Sequence, residues 1–151
     1  MISPEISDEI FMRAALAEAE TALNNGEIPV GAVVVCKNRI IARAHNLTET
    51  LNDPTAHAEM QAITAASSWL GGKYLDKCSI YVTLEPCTMC AGALFWSRAG
   101  LLVYGAADKK KGYSLNRERI LHKKTRVVSQ VLESECRHIL QEFFKAKRQD
   151  L

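Results

Sequence analysis

Two β-rich runs near the start of the chain are separated by only two residues. The runs are VGAVVVC (residues 30–36) and RIIARAH (39–45), with Lys37 and Asn38 between them. β-Branched residues favour strands, and a two-residue connection between two strands is typical of a hairpin. The sequence therefore predicts that the sheet begins with two antiparallel strands.

A helix is predicted before this hairpin, and helices alternate with strands after it. The first helix is predicted to have Ser7 as its N-cap and to end at Asn24-Asn25-Gly26. The later elements are a helix through TAHAEMQAI to about residue 70, strands at 78–84, 100–106 and 125–131, and helices at about 88–98 and 134–147.

This order of elements defines a fold class. A hairpin followed by right-handed crossovers predicts an α/β fold, in which a mixed sheet of about five strands carries helices on both faces. Because no linker, repeat or shift in composition divides the chain, residues 1–151 are predicted to form a single domain.

The cysteine count and the N-terminal sequence bear on the compartment. Five cysteines are an odd number in a chain whose N-terminus lacks the basic and apolar segments of an export signal. A disulfide framework is therefore not expected, and metal binding or burial accounts better for the cysteines. No stretch approaches the length of a membrane span, so we predict a soluble, cytoplasmic protein without membrane contact.

Basic residues are concentrated in the C-terminal third, although the net charge is only +2. Any polyanionic partner is therefore expected to bind this third of the chain. The residues are Lys109, Lys110, Lys111, Lys123, Lys124, Arg126, Lys145, Lys147 and Arg148.

The segment LEPCTMC (84–90) has the spacing of a metal site. Pro86 ends a predicted strand and begins a helix, so Cys87 and Cys90 are expected on one face of the first helical turn. The helix dipole lowers thiol pKa values there, and a divalent ion completes the deprotonation. His57, at the start of the preceding predicted helix, adds a nitrogen donor. One nitrogen and two sulfur ligands suit a tetrahedral zinc ion with the fourth position left for water, which is the arrangement of catalytic sites.

Each of these residues also has a simpler interpretation. The cysteine pair alone is compatible with a thioredoxin-like redox site, although the upstream His-Ala-Glu disfavours it. A histidine at a helix start is often a surface residue, and Glu59 alone would complement the helix dipole. A closed structural zinc site is also possible if Cys78 or His45 supplies a fourth ligand. Three cysteines lie in apolar runs and are expected to be buried: Cys36, Cys78 and Cys136.

The HAE and PCTMC segments resemble the H-x-E and P-C-x-x-C pattern of zinc-dependent cytidine and adenosine deaminases. Further segments resemble the bacterial tRNA-specific adenosine deaminase family over nearly the whole chain: GEIPVGAVVV, DPTAHAE, YVTLEPCTMCAGA, SRAG, GAADKKKG and FFKAKR. The resemblance implies a three-layer α/β/α, cytidine-deaminase-like fold, one zinc ion per subunit and a homodimer. It also implies conversion of the wobble adenosine of a tRNA anticodon to inosine.

The resemblance assigns chemical roles to the motif residues. His57, Cys87 and Cys90 would bind a zinc ion that lowers the pKa of its water, giving a hydroxide that attacks C6 of adenine. Glu59 would take the proton of the water, deliver it to N1 of the ring and later protonate the departing amine, without binding the metal.

The resemblance also implies a set of substrate contacts. Asn46, at the end of the second strand, would contact the nucleoside, although asparagine is also common in turns. Val30 would pack against the base, and the backbone N–H of Ala58 would bond to it, while that of Cys87 would help to position the water. Asp108 would contact the flanking nucleotide, or else cap the start of its loop.

Two groups of basic residues are candidate contacts to the RNA backbone. Lys109, Lys110 and Lys111 follow Asp108 directly, although such a run is usually a solvated loop. Lys145, Lys147 and Arg148, here termed the basic tail, would bind phosphates of an anticodon stem-loop. Alternatively, the closing segment is only an amphipathic helix with Phe143 and Phe144 buried.

Three functions are compatible with these patterns. The first is a tRNA adenosine deaminase, the second a deaminase of free guanine, cytosine or a nucleoside, and the third a non-catalytic, zinc-stabilised RNA-binding subunit. Glu59 argues against the third, since a structural module has no need of a proton shuttle. The segment YSLNRERILHKKT (113–125) is shorter than the family pattern and departs from it, which keeps the second function open.

Overall fold

The hairpin predicted from the two β-rich runs is present. Gly31–Cys36 (β1) pairs antiparallel with Arg39–His45 (β2). Lys37 and Asn38 have φ angles of 52° and 62°, and positive values at both central residues match the twist of a two-residue hairpin turn. The computed structural model describes residues 3–150.

The rest of the described chain alternates helices and strands as expected. The helices are α1 (Pro4–Asn24), α2 (Ala58–Leu70), α3 (Thr88–Ser97) and α4 (Glu133–Gln149), and the further strands are β3 (Cys78–Leu84), β4 (Leu101–Ala106) and β5 (Arg126–Val128). The sheet order is β2-β1-β3-β4-β5. β3 runs antiparallel to β1, whereas β4 and β5 continue parallel to β3. The predicted mixed five-stranded sheet is therefore confirmed.

Successive residues of the central strands point to opposite layers of helices. Val33 and Val35 of β1 pack in the cluster that contains Met12 of α1 and Cys136 of α4. Ala32 and Val34 of the same strand pack in the cluster that contains residues of α2 and α3. The period of two along a strand thus produces the predicted three-layer α/β/α arrangement, with α2 and α3 together on one face.

The N-cap of the first helix lies four residues before the predicted cap. Ser3 is the N-cap and its side chain accepts a hydrogen bond from the backbone N–H of Ile6. Pro4 takes the first helical position, which suits proline because that position needs no N–H donor. Ser7 lies inside the helix, where its hydroxyl donates to the carbonyl of Pro4, so the prediction of Ser7 as the cap was wrong.

The last strand is shorter than the predicted run of residues 125–131. It covers only Arg126–Val128. Gln130 and Leu132 have φ angles of 66° and 52°, which are incompatible with extended strand conformation. Leu132 instead forms the N-cap of α4. Backbone conformation, not side-chain propensity, therefore ends the strand.

The structure shows the length of each described helix and the state of each cysteine. Within residues 3–150, no helix combines the length and apolarity needed to cross a membrane. All five cysteines are free thiols. Cys78 and Cys136 are buried as predicted, whereas Cys36, at the end of β1, is partly exposed.

Candidate active site

Three metal-binding side chains converge where α2 and α3 begin. His57 is the N-cap of α2, Cys87 is the N-cap of α3, and Cys90 lies in the first turn of α3. Nδ1 of His57 is 3.6 Å from Sγ of Cys87 and 3.5 Å from Sγ of Cys90. Because α2 and α3 pack side by side on one face of the sheet, their N-termini bring together residues that lie 30 and 33 positions apart.

The spacing of these donors fits a zinc ion. Zinc–nitrogen and zinc–sulfur bonds of about 2.0 and 2.3 Å at the tetrahedral angle place the two donor atoms about 3.5 Å apart. The observed separations match this value, and the three donor atoms all lie within 4.8 Å of one another. Cys78 and His45 do not join the group, since Cys78 pairs with Cys36 across β1 and β3, and His45 contacts Glu18. The described residues therefore offer three protein ligands, as an open site requires.

The pKa shifts of the three metal-binding side chains favour a cation bound between them. Hydrogen bonds from Cys90 and His57 lower the pKa of Cys87 to about 4, against the opposing effect of burial. The hydrogen bond to Cys87 and burial raise the pKa of Cys90, because a second negative charge beside the first is unfavourable. The hydrogen bond to Cys87 raises the pKa of His57, while burial and the ammonium group of Lys111 act in the opposite direction. A bound divalent ion would relieve this repulsion and permit two thiolates.

Glu59 lies in the first turn of α2, two residues after His57. Its side chain is only 4% exposed, which is unusual for an acidic residue. Burial raises its pKa to about 6, whereas a backbone hydrogen bond and the charge of His57 act to lower it. The carboxylate is not one of the donors that form the possible metal group. A buried carboxyl group beside a metal cluster, but outside it, is suited to transfer protons.

A cavity of about 520 Å³ opens beside His57. Asn46 follows β2 at the wall of this cavity and is only 5% exposed. Its Nδ2 group contacts Oγ1 of Thr48 at 3.4 Å, while Oδ1 is buried and has no hydrogen-bond partner among the described residues. Buried amide oxygens are rarely left unpaired, so this atom is available to a ligand.

Val30 and Ala58, the two apolar residues predicted to contact the base, do not line this cavity but lie next to residues that do. Val30 is nearly buried, and its carbonyl accepts a hydrogen bond from the backbone N–H of Asn46. Ala58 is the first residue of α2, where backbone N–H groups have no partner inside the helix. The structure thus places Val30 next to Asn46 and Ala58 next to His57, and the contacts of these residues to a base stay a prediction.

Asp108 follows β4 and caps its own loop. Its carboxylate accepts hydrogen bonds from the backbone N–H groups of Lys110 and Lys111, each at 3.0 Å. This contact matches the capping role that the sequence allows for Asp108, and a contact to the flanking nucleotide stays a prediction. Gly112 of the same loop forms an isolated antiparallel bridge with Cys87, so the loop lies next to the metal-binding residues.

The basic tail lies elsewhere. Its three side chains are exposed in the last turns of α4, and this helix packs against the face of the sheet opposite α2 and α3. Phe144 is 44% exposed and Phe143 is partly exposed, so neither is fully buried as the alternative interpretation of this helix required. The helix α4 therefore buries less apolar surface than the sequence indicated. The basic tail lies on the layer of helices opposite the metal-binding residues.

Two buried carboxylates near the site were not anticipated from the sequence. Glu27 is fully buried and accepts hydrogen bonds from Thr48, Glu49 and Thr50 in the cavity wall. Glu85, 3% exposed, precedes the metal-binding segment. In the sequence, each is an acidic residue close to a predicted buried strand, in GEIP and in LEP, where a solvated side chain is not expected. This pattern could have identified both residues as buried.

Comparison with known families gives the class of protein to which this fold and site belong, the deaminases. A family described as MafB19-like deaminase matches residues 6–148. The chain belongs to the tRNA-specific adenosine deaminase family within this class: it is 48% identical over 147 residues to the tRNA-specific adenosine deaminase of Bacillus subtilis, covering 93% of this chain and 91% of that protein.

Solved structures agree with this assignment. A structure from studies of A-to-I editing by tRNA:A34 deaminases superimposes with a TM-score of 0.82 at 44% identity, covering 87% of this chain and 99% of that one. A guanine deaminase of Bacillus subtilis superimposes with a TM-score of 0.63 at 44% identity, covering 66% of this chain and 64% of that one. The fold is thus shared by deaminases of different substrates.

Proposed function

We propose that this protein deaminates adenosine to inosine at the wobble position of tRNA anticodons by hydrolysis. The observation that carries the proposal is the group of His57, Cys87 and Cys90 with Glu59 beside it, in a chain 48% identical to a tRNA-specific adenosine deaminase. The solved structure of a tRNA:A34 deaminase supports the same position in the anticodon.

One zinc ion per subunit is proposed as the cofactor. His57, Cys87 and Cys90 would hold it, and their donor spacing supports this assignment. Zinc, when bound, polarises water so that it becomes a nucleophile near neutral pH. The water itself would be oriented by the backbone N–H of Cys87.

Glu59 is proposed to move the protons of the reaction. Its carboxylate would accept a proton from the attacking water and donate it to N1 of adenine. It would then take the second proton of that water, which is now on the C6 hydroxyl, and deliver it to the amine that leaves from C6 as ammonia. Hydrolysis exchanges the amino group for the oxygen of water, so ammonia and inosine are the products. Burial of Glu59 supports this role, because bulk water cannot compete for the proton.

The pocket residues are proposed to orient the nucleoside. The unpaired Oδ1 of Asn46 offers a hydrogen-bond acceptor at the cavity wall. Val30 would pack against the base, and the backbone N–H of Ala58, which has no partner within its helix, would bond to it. Such contacts would hold C6 beside the metal cluster and limit the reaction to one base.

Contacts outside the pocket would select RNA. Asp108 is proposed to contact the nucleotide that flanks the reacting base, with Lys109, Lys110 and Lys111 near the adjoining phosphates. The basic tail would add phosphate contacts to the anticodon stem-loop, and the exposure of its side chains supports this role. We further propose that the enzyme is a single-domain homodimer in the cytoplasm.

A guanine deaminase is the second candidate function. The 44% identity to a guanine deaminase of Bacillus subtilis favours it, although that match covers only 66% of this chain. The match over 93% of the chain to a tRNA-specific deaminase makes tRNA the preferred substrate.

The two candidates are separated by incubating zinc-loaded protein with a panel of anticodon stem-loops and with free guanine, cytosine and adenosine. We expect inosine at the wobble adenosine of one or more stem-loops. A stem-loop with guanosine at that position is the matched control and should be unchanged. Conversion of guanine, with every stem-loop unreacted, would replace the first function by the second.

A further inference from the structure

The carboxylate of Glu85 holds both ends of a loop beside the metal cluster. Oε1 accepts a hydrogen bond from the backbone N–H of Asp108 at 3.1 Å. Oε2 accepts one from the backbone N–H of Ser114 at 3.0 Å and another from the Ser114 hydroxyl at 2.7 Å. The first and last residues of loop 108–114 are thus bound by one buried side chain. Hydrogen bonds to a carboxylate are stronger than those between neutral groups.

The backbone around Glu85 binds the same loop. The N–H of Tyr113 donates to the carbonyl of Pro86 at 2.9 Å, and Cys87 forms an isolated antiparallel bridge with Gly112. The short segment that presents the first metal-binding cysteine therefore also holds loop 108–114. Movement of the loop relative to the cluster would require these contacts to break.

Gly112 shows how closely the loop fits against this carboxylate. A Cβ atom added at Gly112 would lie 2.4 Å from Cδ of Glu85 and 2.5 Å from each of its oxygens. The φ angle of Gly112 is −61°, which any residue adopts, so conformational freedom does not explain the glycine. The space that Glu85 occupies explains it instead.

Loop 108–114 carries one acidic and three basic residues next to the segment that presents Cys87. The Asp108 carboxylate caps the N–H groups of Lys110 and Lys111, which fixes the turn between them. Lys111 directly precedes Gly112, which forms the bridge with Cys87. A change in the position of the loop would therefore move this carboxylate and these cations relative to Cys87.

We propose that Glu85 is a positioning residue that fixes loop 108–114 for RNA binding. It acts through the loop and not on the reacting atoms. The inference rests on the proposed function, because it concerns the RNA that flanks the reacting base. It assigns the conformation of the RNA-facing loop to a side chain of the metal-binding segment.

The variant E85Q tests this role. A glutamine offers one oxygen and one NH₂ group, so its NH₂ would face either the N–H of Asp108 or that of Ser114, and one end of the loop would be released. We expect hydrogen exchange of a peptide spanning residues 108–114 to be at least about tenfold faster than in the wild-type protein. KM for an anticodon stem-loop should rise about tenfold, with kcat within about threefold and one zinc per chain retained.

A second variant, G112A, perturbs the contact between Glu85 and the loop by changing the loop residue instead of Glu85. Its backbone is compatible with alanine, but the new Cβ would displace the Glu85 carboxylate, so the same rise in exchange rate and KM is expected. A Cβ atom added at Gly72 would meet no other atom within 4 Å, and its φ is not positive, so G72A is the matched control and should behave as wild type. In an E85A background, G112A should add little, because the clash is removed.

Several outcomes would overturn the inference. Unchanged exchange and KM in both E85Q and G112A would remove Glu85 from loop positioning. A fall in kcat or zinc content with KM unchanged would show that Glu85 acts through Cys87 instead. If the wild-type protein is active on stem-loops, either result contradicts the inference alone. If the wild-type protein converts no stem-loop, the proposed function fails, and the role of the loop in RNA binding fails with it.

Discussion

Replacing Glu27 by glutamine should loosen the cavity wall without altering a metal ligand. Glu27 is fully buried between α1 and β1. Its Oε1 accepts hydrogen bonds from the N–H of Glu49 at 3.0 Å and the hydroxyl of Thr48 at 3.4 Å. Its Oε2 accepts from the N–H and hydroxyl of Thr50 at 2.7 and 2.6 Å. This segment forms the wall next to Asn46.

The expected loss of stability follows from these contacts. A glutamine must turn its NH₂ group toward one of the two backbone N–H donors, whereas the hydroxyl groups can reverse their roles. One hydrogen bond to a charged group, worth about 1.5–3 kcal/mol, is therefore lost. Because Glu49 and Thr50 are exposed, water can solvate the released N–H, so we expect a loss of about 2 kcal/mol. For a chain of this size, this corresponds to a fall in Tm of about 4–8 °C.

The pH dependence of unfolding shows whether the charge of Glu27 stabilises the folded protein. Burial alone would raise the pKa of Glu27, but the hydrogen bonds from Thr50, Glu49 and Thr48 together hold it below its ordinary value of 4.5. A carboxyl group whose pKa is lowered by folding stabilises the protein above its unfolded pKa. That stabilisation is lost as the pH falls through the folded pKa. The difference in Tm between wild type and E27Q should therefore be full near pH 7 and should shrink below pH 4.5.

Thermal unfolding followed by circular dichroism, at matched zinc content, measures this difference. The variant E20Q is the control, because the Glu20 side chain is exposed on α1. E27Q should also raise KM for a stem-loop, since Asn46 adjoins the loosened segment. A Tm for E27Q within about 1 °C of wild type at pH 7 would refute the argument. So would a Tm difference that does not depend on pH.

Three further predictions concern the proposed site. Changing Cys87 or Cys90 to alanine should strongly reduce zinc content in elemental analysis, since each supplies one of three protein ligands; full zinc in both variants would exclude the assignment. The variant E59A should remain folded and zinc-loaded but lose about 10²–10⁴-fold in deamination rate, and substantial remaining activity would remove Glu59 from the mechanism. Neutralising the basic tail should reduce the slope of log KM against log salt by about 0.7–0.9 for each lost phosphate contact. An unchanged slope would make α4 a packing helix only.

Features that depend on neighbours in the sequence were predicted well. The hairpin follows from two adjacent runs and a two-residue turn, and β3 begins and ends at the predicted residues, Cys78–Leu84. The convergence of His57 and the cysteine pair follows from helix starts that the sequence marks with proline and small residues. In each case the determining information lies within short segments of the chain.

Features that depend on tertiary contacts were not predicted. Glu27 and Glu85 are acceptors for segments 21 to 29 residues away, and nothing in their own neighbourhoods identifies the donors. The early end of β5 depends on backbone angles at Gln130 and Leu132, where neither side chain signals a positive φ. Sequence patterns locate elements and ligands, but they do not reveal which buried polar group holds which loop.

Residues 113–125, the segment expected from its sequence to depart from the family pattern, begin at these contacts. Ser114, at the start of this segment, is bound by Glu85, and Tyr113 is bound by the carbonyl of Pro86. Residues 115–119 beyond them are exposed. The two oxygens of a carboxylate accept several N–H and hydroxyl donors at once, so Glu85 can hold the loop whatever side chains follow it. The residues that follow Ser114 therefore form an exposed surface that RNA would meet, while the part of the loop next to Cys87 is held by Glu85.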